Sequence, residues 1–151
     1  MNRFCVPVAI VVLIMRNIDV GDREVLLQRR QNTGFGDGMW DFACAGHVEE
    51  GESMTEACVR ESFEELGIRT QPEDFKFFTL IYKKDSTITY VNSYFCLTKY
   101  YGNIEIMEPS KCSELKWFNV MQLPEDLLPD RKRAFEALLN GDTFIEYGWH
   151  E

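Results

Sequence analysis

Gly46-His47-Val48-Glu49-Glu50-Gly51-Glu52-Ser53, carried on through Met54 to Val59 and then Arg60-Glu61-Ser62-Phe63-Glu64-Glu65-Leu66-Gly67-Ile68, decides how this chain folds. Ser53 and Glu56 have the S-x-x-E spacing of a capping box, so a helix starts after Ser53. Nothing from Met54 to Leu66 breaks a helix, and Gly67 stands where a left-handed C-terminal cap is wanted. At about 100° per residue, Glu61, Glu64 and Glu65 share one arc. Ala57 lies one turn before Glu61 on the same side. Thr55, Cys58, Val59, Ser62, Phe63 and Leu66 occupy the other side, which is mostly apolar and is expected to face the core.

Three carboxylates on one arc repel one another, by a few tenths of a kcal/mol for an i,i+4 pair. Arg60 is the only base within the helix, and its position predicts a direction a quarter-turn or more away from the acids. A solvated acidic face is the plain reading. The glycine-rich approach and the Arg60-Glu61 pair favour a site for a hard divalent cation, which takes oxygen ligands and substrate phosphates.

The stretch resembles the Nudix box, G-x5-E-x7-R-E-U-x-E-E-x-G-U, where U is a bulky aliphatic. Gly46, Glu52, Arg60, Glu61, Glu64, Glu65, Gly67 and Ile68 fall in register. Ser62 departs, standing where the family has an aliphatic, and its hydroxyl is expected to bond the Cys58 carbonyl one turn back. The resemblance implies Mg²⁺ or Mn²⁺ held by the Ala45 carbonyl, Glu61, Glu64 and Glu65, although Cys44-Ala45-Gly46 replaces the usual Pro-Gly-Gly. It also implies that Glu52 reaches Arg60 to orient the loop. The general base is Glu61 or Glu108, the latter on an acidic segment where some members carry an added ligand.

The 151 residues suit one domain, 1–151, and 45% hydrophobic and 27% charged residues are ordinary for a globular protein. A formal net charge of −9 argues against a basic surface for long nucleic acids, but not against one nucleotide bound through a metal. Five cysteines without C-x-x-C spacing read as buried free thiols rather than a disulfide framework or zinc site. The apolar run Val6 to Met15 is too short to span a membrane and lacks a signal-peptide pattern, so a cytoplasmic protein without membrane contact is expected. A homodimer is left open.

Val6 to Met15, Glu24 to Arg30, Trp40 to Ala45, Phe75 to Lys83, Thr87 to Lys99 and Leu115 to Val120 read as strands, the fourth and fifth as a hairpin around Lys84-Asp85-Ser86. Gln31 to Gly38 is a loop with three glycines, Gln71 to Asp74 a turn and Tyr100 to Lys111 irregular. Pro129 to Leu139 reads as a second helix ending near Gly141. These elements predict an α/β protein, a mixed sheet with helices on both faces. The Nudix α/β/α sandwich is similar, which extends the resemblance from about Val6 to Leu139.

Arg29 and Arg30 close the second strand, and alternation lets only one face a cleft, where Arg suits phosphate. Trp40 could stack on a base, although an aromatic beside a strand is more often core; Phe35 is a weaker candidate of the same kind. Pro129-Asp130 stands where relatives that clean up oxidised guanine nucleotides carry an acidic pair, here with Arg131 in second place. The resemblance implies a hydrolase that cleaves a phosphoanhydride bond in a nucleoside diphosphate linked to another group. A nucleoside triphosphate giving monophosphate and pyrophosphate is the first expectation. Nucleotide sugars or conjugates such as ADP-ribose come next, and a non-catalytic nucleotide-sensing or protein-binding module is the rival.

Overall fold

The computed structural model describes residues 1–150. Eight strands form one mixed sheet: β1 (Val8–Arg16), β2 (Glu24–Arg30), β3 (Trp40–Phe42), β4 (Cys44–His47), β5 (Phe75–Lys84), β6 (Thr89–Leu97), β7 (Cys112–Asn119) and β8 (Phe144–Tyr147). Helices α1 (Met54–Leu66) and α2 (Pro129–Asn140) complete it. The main path runs β3-β2-β1-β6-β5-β8, with β4 paired to β1 and β7 to β2. β1–β6 and β5–β8 are parallel; the other pairs are antiparallel.

β1 shows why the expected sandwich forms. Its side chains alternate across the sheet, as strand geometry requires. Val11, Leu13 and Met15 join the cluster containing Ala134, Phe135 and Ala137 of α2. Ile10, Val12 and Ile14 join the cluster containing Ala57, Cys58 and Leu66 of α1. An all-apolar strand is thereby buried on both faces.

The α1 bounds match the sequence reading. Ser53 and Glu56 make both bonds of the capping box, and Gly67 caps the C-terminus at φ 71°. Its rotation differs from expectation at two points. Ala57, one turn before Glu61, is fully buried where open space was expected, and Phe63 is 53% exposed. Ser62 is fully buried as expected, but its hydroxyl lies 3.9 Å from Cys44 Sγ on β4, and this thiol replaces the expected Cys58 carbonyl. Ser62→Val should therefore shift stability by no more than about 1–2 kcal/mol, because methyl gain and overpacking oppose each other. A denaturant titration beside an activity assay checks this, with kcat expected to be unchanged.

The expected strand Trp40 to Ala45 is two strands broken at Ala43. The Gln28 Nε2 donates to the carbonyls of Phe42 and Ala43 at 3.0 and 3.2 Å, so the bend leaves neither carbonyl orphaned. β8 went unread because only four residues form it, and only Ile145 of them is buried. The segment between β6 and β7 is irregular but anchored. Glu105 N and Met107 N donate to the terminal carbonyls of α1 at Leu66 and Glu65. Gln31 and Asn32 side chains bond the carbonyls of Pro109 and Ser110 at 2.6 and 3.1 Å. Glu108 is thus fixed beside α1.

Candidate active site

Glu65 of α1 opens onto a cleft with two lobes. The first, about 390 Å³, is lined by Gln28, Ala43, Glu65, Glu108, Lys111 and Cys112 among others. The second, about 480 Å³, is lined by Phe35, Lys83, Ile88, Tyr90, Asn92, Asp130 and Arg131 among others. Arg30, Thr33, Ala45 and His47 belong to both and form the neck.

Arg60 departs from its expected direction and is the hub of the acidic arc. Its Nε and Nη2 bond both oxygens of Glu52 at 3.0 and 2.7 Å. Nη1 reaches Glu61 Oε1 at 2.7 Å and Glu64 Oε2 at 3.3 Å, and Nη2 also donates to the His47 carbonyl at 3.0 Å. A long side chain swings back along its own helix, which angular spacing at Cβ does not convey. The bond from Arg60, with a second from the Glu49 N–H, holds the Glu52 carboxyl down to about 2. The loop Gly46–Ser53 is thereby tied to α1.

Glu65 has no such partner. Burial, then the charge of Glu61, pushes its carboxyl up to about 8, and its one backbone bond is from Ala45 N at 3.1 Å. Burial also raises Glu61 against the pull of Arg60, with Glu64 and Glu108 adding to the rise. Burial and the neighbouring Glu65 charge keep the Cys44 thiol protonated. Glu64 lies on the outer flank, its side chain 53% exposed.

These donors fit a hard divalent cation. Glu61 and Glu65 are oxygen donors one turn apart; Glu61 shares Arg60 with Glu52 and Glu64, Glu65 has no cation partner among the described residues, and the Ala45 backbone lies against Glu65, with Glu108 facing the same lobe. Among the described residues, no three His, Cys, Asp or Glu side chains already stand as a cation's ligand shell, since Arg60 draws Glu61 and Glu64 toward itself.

Gly46 is required here by space. A Cβ at this position would overlap the carboxyl carbon and an oxygen of Glu61. Gly46→Ala should therefore displace that carboxylate, lowering kcat roughly tenfold to a hundredfold with little change in Tm. Steady-state kinetics beside a thermal melt checks it; an unchanged kcat would place Glu61 outside the reaction.

Of the two strand-end arginines, Arg30 faces the cleft. Its Nε donates to the Phe35 carbonyl at 2.8 Å, Nη1 to Asp41 at 2.7 Å and Nη2 to Thr33 at 3.1 Å. It clasps the glycine loop and presents Phe35 to the second lobe. Arg29 is a correction: it lines neither lobe, and lies over Trp40 with 4.7 Å from its guanidinium carbon to the ring centroid and 3.8 Å from Asp126. Trp40 is a second correction, being 4% exposed and packed edge-on against Phe118. Phe35, 52% exposed on the loop, is the aromatic that meets the cleft.

Asp130 lines the second lobe, within a buried charge network that no local pattern announced. Asp41, fully buried, bonds Arg30 and, through Oδ1, Arg131 Nε at 2.6 Å. Arg131 Nη1 reaches Tyr94 Oη at 2.8 Å and Asp130 Oδ2 at 3.3 Å, and Lys83 Nζ reaches Asp130 Oδ2 at 3.1 Å. Burial pushes the Asp130 carboxyl up, but Arg131 and Lys83 outweigh it and hold the group below its usual range. Arg30, Lys83 and Arg131 against Asp85, Asp130 and the buried Asp41 leave the charged groups of this lobe balanced, within a chain of net charge −9. Lys111, His47 and Asn92 also went unread, because only folding brings them to the cleft.

Among the described residues, no helix is long and apolar enough to cross a membrane. The chain resembles known proteins along most of its length. The MutT NUDIX hydrolase of Burkholderia pseudomallei superposes with a TM-score of 0.78 at 23% identity, over 89% of this chain and 99% of that one. The NUDIX domain of Shewanella oneidensis NrtR, complexed with ADP ribose, superposes with a TM-score of 0.71 at 20% identity, over 91% and 89%. Among curated sequences, the isopentenyl-diphosphate Delta-isomerase of Cutibacterium acnes is 34% identical over 55 residues, 36% of this chain and 28% of the isomerase. The chain thus spans little more than a quarter of that relative's length. The model of the NUDIX domain matches residues 6–138, which with the geometry of α1 and its approach loop establishes that this chain belongs to the NUDIX family.

Proposed function

We propose that this protein is a metal-dependent pyrophosphohydrolase cleaving a phosphoanhydride bond in a nucleoside diphosphate linked to another group, foremost a nucleoside triphosphate. One observation carries the reading. Half-buried Glu65, with no cation partner of its own among the described residues, lines one lobe together with Glu108, and a neck containing Arg30 joins that lobe to a second one where Lys83 and Arg131 stand beside Asp130 and the rings of Phe35 and Tyr90.

Glu61, Glu65 and the Ala45 carbonyl hold Mg²⁺ or Mn²⁺, with Glu64 at the flank. The bound ion supplies charge neutralisation on phosphate oxygens and a more acidic water. Arg30 and Lys111 contact the phosphates as they cross the neck. Arg60 and Glu52 hold the loop and Glu61 in place. We assign the proton-accepting role to Glu108, whose carboxylate lines the lobe without a bond among the described residues, whereas Arg60 occupies Glu61 Oε1.

A nucleotide sugar or ADP-ribose-type conjugate is the second reading. The two-lobed cleft leaves room for a group on either side of a diphosphate, and the NrtR domain of the same fold is complexed with ADP ribose. The test is a panel of nucleoside triphosphates, nucleotide sugars and dinucleotides with Mg²⁺, read by phosphate and pyrophosphate release. Tight binding of one ligand without turnover would replace the enzyme with a sensing module.

A further inference from the structure

The second lobe holds a polar group with no work inside the protein. Asn92 of β6 is 7% exposed, lines the lobe and makes no side-chain hydrogen bond among the described residues. Its amide atoms are not among the sealed-off unpaired ones, so they open into the lobe, where a ligand can pair with them in place of water. Asp130, 4% exposed, lines the same lobe. Both of its cations bond Oδ2, which leaves Oδ1 without one. The rings of Phe35 and Tyr90 and the side chain of Ile88 supply apolar walls.

We propose that Asn92 and Asp130 read the edge of a nucleobase that carries an exocyclic amine, an assignment that rests on the nucleotide reading above. An amine N–H is donated to Asp130 Oδ1, and the adjacent ring nitrogen accepts from the Asn92 amide. Phe35 covers a face of the ring. A carbonyl in place of the amine sets lone pairs against an acceptor. Asp130 cannot answer by donating, because Lys83 and Arg131 keep it ionised. Sites built on buried polar partners reject ligands that leave them unpaired far more strongly than apolar pockets reject a size change.

Two matched pairs of nucleotides test this: CTP against UTP, and ATP against ITP, in which amine and carbonyl exchange. With Mg²⁺ and the wild-type protein, kcat/KM should favour the amine member of each pair by at least about tenfold. Asn92→Leu, of similar volume, should raise KM for the favoured nucleotide by about tenfold or more, leave kcat nearly unchanged and shrink the ratio within each pair. If this variant does not fold, as a thermal melt would show, the wild-type pairs decide alone. Hydrolysis of both members of each pair at equal kcat/KM overturns the assignment of Asn92 and Asp130 while the hydrolase reading stands. UDP-glucose turned over faster than every triphosphate overturns it in favour of a sugar in this lobe. No turnover or binding of any nucleotide overturns both.

Discussion

Glu65→Gln should lower kcat by two or more orders of magnitude, about 3 kcal/mol or more of lost transition-state stabilisation. Glu61→Gln should do the same. Gln keeps the volume and removes the charge on which the cation depends. The fold should behave in the opposite way. Burial and Glu61 hold the Glu65 carboxyl near 8, against an ordinary 4.5. Its contribution to stability is therefore full below pH 4.5 and is lost as pH rises toward 8, because the unfolded chain releases this proton first. Metal-free Glu65→Gln, which cannot ionise, should melt above the wild type at pH 8. The gap, on the order of a few kcal/mol, should close toward pH 4.5. Thermal melts across this range decide the matter. Equal losses of activity and melting temperature would make Glu65 a structural residue instead.

Chelation should abolish hydrolysis, and added Mg²⁺ or Mn²⁺ should restore it. Among the described residues, Arg60 is the only base bonded to the helix acids, and its strongest bonds go to Glu52 and Glu61, with none to Glu65. In the first lobe Glu108 and, once ionised, Glu65 offset the charges of Arg30 and Lys111, so an anionic phosphate entering it is held firmly only when a cation arrives with it. Cation binding should also raise Tm above pH 8, where Glu65 is ionised, and raise it less near pH 5, where protons compete for the same oxygens. Full turnover in excess chelator would remove the cation from the mechanism.

The helix and its caps were legible because their signals are local: Ser53, Glu56 and Gly67 lie within a few residues of the turns they close. So was the two-faced sheet, since a continuous apolar run such as β1 leaves no solvent side. The side-chain direction of Arg60 was not legible, because rotamers and partners decide it. Arg29 and Arg30 differ by one residue, and only the neighbouring strands fix which parity faces the cleft. Trp40 and Phe35 exchanged roles for the same reason, one drawn into the core against Phe118 and the other held out on its loop by Arg30. The bond between Asp41 and Arg131 joins residues far apart in sequence, and nothing near either one signals it. The cleft's second lobe was the least legible part, because it is assembled from five separate segments.

The parallel pairing of β1 with β6 also governs how the molecule is made. Val8 pairs with Val91 and Ile14 with Leu97, so the central strand has no partner on that side until more than half of the chain exists. Contacts of such long range close slowly. During synthesis, the apolar run from Val8 to Met15 must wait with one edge open, which makes it the segment most prone to pair with the wrong neighbour. Slow β6 formation would therefore show itself first as aggregation of the nascent chain, well before any loss of activity in molecules that complete the sheet.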